Sequence, residues 1–97
     1  ELLSAATAVH YINSTRNHWK NGKTGEAFHA LSEAWAFVNA LKYSPNRKIT
    51  NDQIDQILNT NFGENGNFWN LTSDGLNKAQ STLVNTYPAL EDVESEL

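Results

Sequence analysis

The chain has 97 residues, of which 39% are hydrophobic and 19% are charged, so it has the size of one small globular domain with fewer charges than the usual ~25%. Aromatic residues make up 10% of the chain, which supplies large surfaces to bury and excludes a wholly disordered protein. No apolar run reaches the ~18–20 residues of a membrane span, and the absence of cysteine excludes disulfides and thiolate sites.

The formal net charge of −4 is concentrated at one end of the chain. Residues 1–90 carry equal numbers of acidic and basic side chains, and the excess comes from Glu91, Asp92, Glu94 and Glu96. Residues 89–97 are therefore predicted to form an acidic, solvated tail. Because the body has no concentrated basic face that would neutralise phosphates, we expect no nucleic-acid partner.

Apolar spacing predicts two long helices. The first, at about residues 2–19, places its apolar side chains on one arc and ends at Gly22, a natural left-handed stop. The second, at about residues 25–43, follows an N-cap at Thr24 and has an apolar face around about half its circumference, which is typical of a central helix. Its most buried side chains are predicted to be Leu31, Trp35, Val38 and Leu41.

Capping signals predict two more helices, at about residues 50–61 and 72–87. Thr50 and Gln53 have the spacing of a capping box, and Thr72 is the predicted N-cap of the last helix. The accompanying hydrophobic staples are Ile49 with Ile54 and Leu71 with Leu76. Because no segment alternates with a period of two, the predicted fold is all-α, an antiparallel bundle or array of four helices.

Two segments carry a resemblance to a known family. They are residues 28–41, Phe-His-Ala-Leu-Ser-Glu-Ala-Trp-Ala-Phe-Val-Asn-Ala-Leu, and residues 68–72, Phe-Trp-Asn-Leu-Thr. Over about residues 8–88 the chain resembles the C-terminal part of bacterial exported lipoproteins grouped as domain of unknown function 4856, which are similar to the imelysins. The resemblance implies a cell-envelope location, in the periplasm or as an outer-membrane lipoprotein, and relatives linked to iron or haem uptake.

The resemblance also implies that residues 1–97 are one helical domain of a larger all-helical protein. Such a protein would be lipid-anchored through a preceding N-terminus, and this domain would pack against the rest of its own chain. Imelysins carry a Gly-x-His-x-x-Glu motif that prompted a metallopeptidase assignment. Here Ala27 replaces the glycine, and three residues separate His29 from Glu33, so the peptidase assignment does not carry over.

His29 and Glu33 form the first candidate site. Their i, i+4 spacing puts both on one helix face, where they could hold one metal ion. Zinc needs a third protein ligand, and His10 and His18 are the available imidazoles. The alternative is a structural His29–Glu33 hydrogen bond at a seam between helices. A haem site at His10 or His18 is disfavoured, because both lie on the polar side of the first helix.

The loop over residues 62–71 is the second candidate site, because it combines two glycines with three aromatic residues. Trp69 could present its face to a sugar or a peptide, with the loop acting as a lid. Alternatively, Phe68 and Trp69 plug the end of the bundle before the last helix begins at Thr72.

These observations predict a non-enzymatic helical binding module of an exported envelope lipoprotein, engaging iron, haem or a partner protein. The candidate ligand-binding residues are His29, Glu33 and Trp69. The alternatives are a metal-dependent hydrolase of the imelysin type, using His29 and Glu33, and a purely structural helical domain. No catalytic residue is assigned and no cofactor is expected, with a divalent metal at His29 and Glu33 as the one candidate.

Overall fold

The computed structural model describes residues 1–45 and 47–97, and within them the backbone is mainly helical, with no β-strand. The helices are α1 (Leu2–Lys20), α2 (Thr24–Ala40), α3 (Asn51–Gln56) and α4 (Ser73–Thr86). α2 continues into a 3₁₀ turn, Leu41–Tyr43, and α3 continues into a π-helix, Ile57–Asn61. The predicted all-α class with four helices is confirmed.

The turn between α1 and α2 is a Schellman motif with Gly22 in the left-handed conformation, at φ 75°. Gly22 donates its backbone N–H to the Trp19 carbonyl at 3.2 Å, and Lys23 donates to the His18 carbonyl at 2.9 Å. The predicted stop at Gly22 is therefore confirmed. The predicted N-cap at Thr24 is wrong: α2 follows the motif at once, so Thr24 is its first residue and Lys23 occupies the cap position.

One face of each helix contributes to the core. The buried apolar side chains of these helices are Ala5, Ala8, Val9 and Ile12 from α1, Ala27, Ala30, Leu31, Ala34 and Val38 from α2, Ile54 from α3, Ile57 and Leu58 from the π-helix, and Leu76, Ala79, Leu83 and Val84 from α4. Leu31, Val38 and Leu41 are fully buried, as predicted. The prediction is wrong for Trp35, because its indole packs against the edge of the core and is only half-buried.

The acidic tail is only partly solvated, which corrects the sequence-based expectation. Leu90 is 2% exposed, and the Asn13 carboxamide donates to the Glu94 carbonyl oxygen at 2.8 Å. Gln80 donates to the Glu94 carboxylate at 2.9 Å and accepts from Arg16 at 2.8 Å. Partial burial lowers the pKa of Arg16, and the nearby Glu94 carboxylate opposes this shift. The tail packs against the body because polar side chains of α1 and α4 form hydrogen bonds with it. A count of charges along the sequence does not detect such partners.

The Glu1 carboxylate joins three parts of the chain. It accepts hydrogen bonds from the Tyr87 hydroxyl and the Lys48 backbone N–H, both at 2.6 Å. These bonds, the Tyr87 bond foremost, lower the pKa of Glu1, while burial and the same carboxylate raise the pKa of Tyr87. The start of α1, the segment before α3 and the end of α4 are thereby held together.

The capping box of α3 provides a first test. Gln53 donates its backbone N–H to Thr50 Oγ1 at 3.1 Å, and Thr50 donates its own to Gln53 Oε1 at 3.0 Å. Thr50→Ala is expected to lower the free energy of unfolding by about 1 kcal/mol, measured by urea denaturation. Thr50→Ser keeps the capping oxygen and serves as the control. Equal midpoints for the alanine and serine variants would contradict the assigned start of α3.

Two helical glycines provide a second, paired test. A Cβ at Gly75 would overlap the Asn61 carbonyl oxygen, whereas a Cβ at Gly25 would meet no atom within 4 Å. Gly25→Ala should raise the free energy of unfolding by ~0.4–1 kcal/mol, because alanine restricts the unfolded chain. Gly75→Ala should lower it by ~1–3 kcal/mol, because the helix must move away. A rise in melting temperature for both variants would show that α4 does not approach the π-helix this closely.

Candidate functional site

A cleft of about 300 Å³ lies between α2 and the loop over residues 62–71. We call it the aromatic cleft, and its lining residues are Ser32, Trp35, Asn59, Gly66 and Phe68. The α2 residues at positions 32 and 35 are three apart and so share one side of the helix. Asn59 comes from the π-helix, whose exposed residues face away from the core. Three separate segments therefore build the cleft.

A row of aromatic rings runs beside the aromatic cleft, with Phe28 at its centre. Phe28 stacks on Trp19 with ring centroids 5.7 Å apart and meets Trp69 edge-on at 4.9 Å. Phe68 also contacts Phe28, with a centroid distance of 6.1 Å. Stacked and edge-to-face pairs at these distances are favourable beyond the area they bury. Phe28 thus fixes the end of α1 and the loop against the start of α2.

Hydrogen bonds within the loop fix the backbone that carries Trp69. Asn67 Oδ1 accepts the Trp69 backbone N–H at 3.0 Å, and Asn70 donates its carboxamide to the Glu64 carbonyl at 3.2 Å. Gly63 has φ 134°, and a Cβ there would overlap the Asn67 carbonyl oxygen, so the turn requires glycine. The loop is therefore held by its own bonds before any ligand arrives.

The two aromatic residues of the loop behave differently. Phe68 is half-buried and packs against the core, as the plug prediction requires. Trp69 is 73% exposed, so the plug prediction is wrong for this residue. The 3₁₀ turn Phe68–Asn70 turns successive side chains in different directions, and only Phe68 points inward. Ligand contact by the Trp69 ring stays a prediction.

The predicted His29–Glu33 hydrogen bond is not formed. His29 is exposed and Glu33 is half-buried, and no hydrogen bond or ion pair within the described residues joins the two side chains. Ser32 Oγ donates instead to the His29 backbone carbonyl at 2.7 Å, and this bond does not involve the imidazole. Water solvates an exposed imidazole well enough that a carboxylate partner is not needed.

The histidines of α1 do not join His29. His18 Nδ1 lies 3.2 Å from a Glu26 carboxylate oxygen, and His10 is exposed with its ring edge-on to Tyr11 at 5.0 Å. Within residues 1–45 and 47–97, no three His, Asp or Glu side chains lie together as a metal site requires. A metal at His29 and Glu33 therefore remains a prediction with two candidate ligands.

Sequence reasoning missed Ser32, Trp35 and Asn59 as lining residues of the aromatic cleft. A signal for two of them was present, because Phe28, Ser32 and Trp35 follow i, i+4, i+7 spacing along one side of α2. No comparable signal existed for Asn59, whose placement depends on the π-helix.

The lining of the aromatic cleft suits binding better than chemistry. None of its five residues is titratable, so none can transfer a proton near neutral pH. Two aromatic rings supply apolar surface, while the Ser32 hydroxyl and the Asn59 carboxamide supply hydrogen-bonding groups. This combination is typical of ligand pockets that orient a largely apolar group with a few polar contacts.

Residues 1–89 match the family model described as Domain of unknown function (DUF4856). No curated protein and no solved structure matches the chain. In the described residues, no helix combines the length and the hydropathy that are needed to cross a membrane.

The metal hypothesis predicts a melting shift that depends on His29. With two ligands and an exposed imidazole, we expect added Zn²⁺ to raise the melting temperature of the parent no more than that of His29→Gln. A true site, at one hundred times its dissociation constant, would instead stabilise the folded chain by about 2.7 kcal/mol. Calorimetry with and without Zn²⁺ decides between the two, and a shift abolished in His29→Gln would establish the metal site.

Proposed function

The chain belongs to the family described as Domain of unknown function (DUF4856), and we propose that it is a non-enzymatic binding module for an apolar group of a partner protein. The observation that carries this proposal is the Trp69 indole, 73% exposed and held edge-on against Phe28 beside the aromatic cleft.

Exposure of a positioned indole is a source of binding energy. Burying a large apolar side chain contributes roughly 1.5–3 kcal/mol, and tryptophan is enriched among residues that dominate interfaces. Asn67 and Phe28 already order the Trp69 backbone and ring, so binding loses little side-chain freedom there. A mobile tryptophan on an unrestrained loop would lose more conformational freedom on binding and would therefore contribute less binding energy.

The chemistry of the aromatic cleft limits what it accepts. A volume of about 300 Å³ accommodates one ring or one branched side chain rather than a large cofactor. None of the five lining residues is charged, which favours a neutral group. The same residues include no histidine, and so no imidazole ligand for haem iron. An apolar side chain of a peptide or protein surface is therefore favoured over the iron or haem alternative.

The wider setting is part of the proposal. The resemblance of residues 28–41 and 68–72 to exported, imelysin-like lipoproteins supports a role in the bacterial cell envelope. Three of the five lining residues of the aromatic cleft, Ser32, Trp35 and Phe68, come from those two segments. The partner would be another protein of the envelope or another part of the same lipoprotein. Its binding would use residues from segments 28–41 and 68–72, which carry the resemblance.

Peptide selection tests this function. A random peptide library is selected on the immobilised chain, and individual peptides are then measured by calorimetry against the parent, Trp69→Ala and Tyr43→Ala. Tyr43 is 80% exposed and does not line the aromatic cleft, which makes it a matched aromatic control. We expect peptides with a phenylalanine, tryptophan or leucine anchor, and a loss of affinity of about tenfold or more in Trp69→Ala only.

Two results would contradict the proposal. One is a set of selected peptides that bind the parent and Trp69→Ala equally well. The other is a selection that yields no peptide above background, since an exposed interface tryptophan should capture at least weak apolar anchors.

A further inference from the structure

A second cavity lies where the end of α3 and the π-helix meet α4. It has a volume of about 420 Å³ and is lined by Gln56, Asn61, Asn77, Lys78, Ser81, Thr82 and Asn85. We call it the polar groove. It shares no lining residue with the aromatic cleft, so the proposed partner-binding function does not account for it.

Asn61 forms the buried part of the polar groove. It is 6% exposed, and no side-chain hydrogen bond within the described residues uses its carboxamide. Its amide atoms are not among the fully buried side-chain atoms that lack a partner in the described residues, so they keep contact with solvent. Asn61 also lines the groove, and we infer that its carboxamide meets solvent there. Asn61 is the last residue of the π-helix, and its backbone carbonyl lies against Gly75 of α4.

Further hydrogen-bonding groups surround that amide. Gln56, Ser81 and Asn85 are exposed, and in the described part of the chain their side chains bond to no other residue. Asn77 Oδ1 accepts from Arg16 at 3.0 Å, which leaves its amino group for the groove. Carboxamides and hydroxyls together both donate and accept hydrogen bonds.

Charge plays little part in the polar groove. Lys78 is the one charged lining residue, and its ammonium lies 3.1 Å from the Asp74 carboxylate, one helical turn away. With one neutralised cation, the groove is poorly suited to a phosphate, which clustered cations bind. None of the seven lining residues is acidic, so it is equally unsuited to a metal ion.

We propose that the polar groove is a binding site for a neutral polyhydroxylated ligand, a saccharide unit. Neighbouring hydroxyls of a sugar both donate and accept hydrogen bonds, and so do the carboxamides and hydroxyls that line the polar groove. The site has the volume of a small-molecule pocket, and the Asn61 carboxamide, which bonds to no other residue in the described part of the chain, is available to such a ligand. A site built from hydrogen-bonding groups discriminates strongly against ligands that lack them.

A peptide is the less favoured occupant. Peptide recognition draws much of its affinity from apolar anchors seated in pockets, and no lining residue of the polar groove is apolar. Backbone pairing by strand addition is also unavailable, because α4 uses its own backbone groups within the helix.

Side-chain amide signals in ¹H–¹⁵N NMR test this site directly. The chain is titrated separately with glucose, N-acetylglucosamine, glycylglycine and inorganic phosphate, up to ~100 mM, where a millimolar dissociation constant saturates the site. We expect saturable shifts of the Asn61 and Asn85 amino groups with at least one of the two sugars, and none with phosphate or glycylglycine.

Three variants assign the response. Asn85→Ala, on the exposed rim, and Asn61→Leu, at the buried end, should each weaken sugar binding by about tenfold, as loss of a paired hydrogen bond predicts. Asn17→Ala, exposed on α1, should bind as the parent does. Trp69→Ala should also bind sugar normally, so failure of the aromatic cleft and failure of the polar groove are distinguishable.

The proposal is overturned by any of three results. These are the absence of saturable shifts with both sugars, a response to glycylglycine or phosphate alone, and sugar binding that Asn85→Ala and Asn61→Leu leave unchanged. If Asn61→Leu fails to fold, the rim variant Asn85→Ala decides the matter alone.

Discussion

The close approach of α4 to the π-helix is the constraint on which both candidate sites depend. It requires glycine at position 75, because a Cβ there would overlap the Asn61 carbonyl oxygen. The approach closes the core around Ile57 and Leu76. It also leaves Asn59 beside the aromatic cleft and Asn61 beside the polar groove. A bulkier residue at position 75 would displace the segment that lines both cavities.

The sequence predicted those features that local physics determines. Thr50 and Gln53 form the expected capping box, Gly22 ends α1 in the left-handed conformation, and Thr72 caps α4. Each depends on a few neighbouring residues and on backbone geometry alone. The Thr24 cap was wrong for an equally local reason, since the turn at Gly22 leads straight into α2.

The candidate sites were predictable only in part, because they depend on which segments meet in space. Trp69 was a candidate from its loop, yet its exposure follows from the direction of a 3₁₀ turn that the sequence does not specify. Trp35 fell on the apolar face of α2 and was expected in the core, but its indole packs at the edge of the core and lines the aromatic cleft. The π-helix could not be predicted, because the sequence of residues 50–61 has the pattern of an ordinary helix. The π-helix lies where α4 packs against this segment.

The two cavities are lined by different kinds of side chain. The aromatic cleft offers rings with two polar groups, whereas the polar groove offers amides and hydroxyls with one neutralised charge. A ligand in one would influence the other only by stabilising a second arrangement of the segment between them. Ile57 and Leu58 anchor that segment in the core, and a packed core resists continuous deformation. We therefore expect the two proposed sites to be independent, and under both proposals one chain would hold an apolar partner and a polar ligand at the same time.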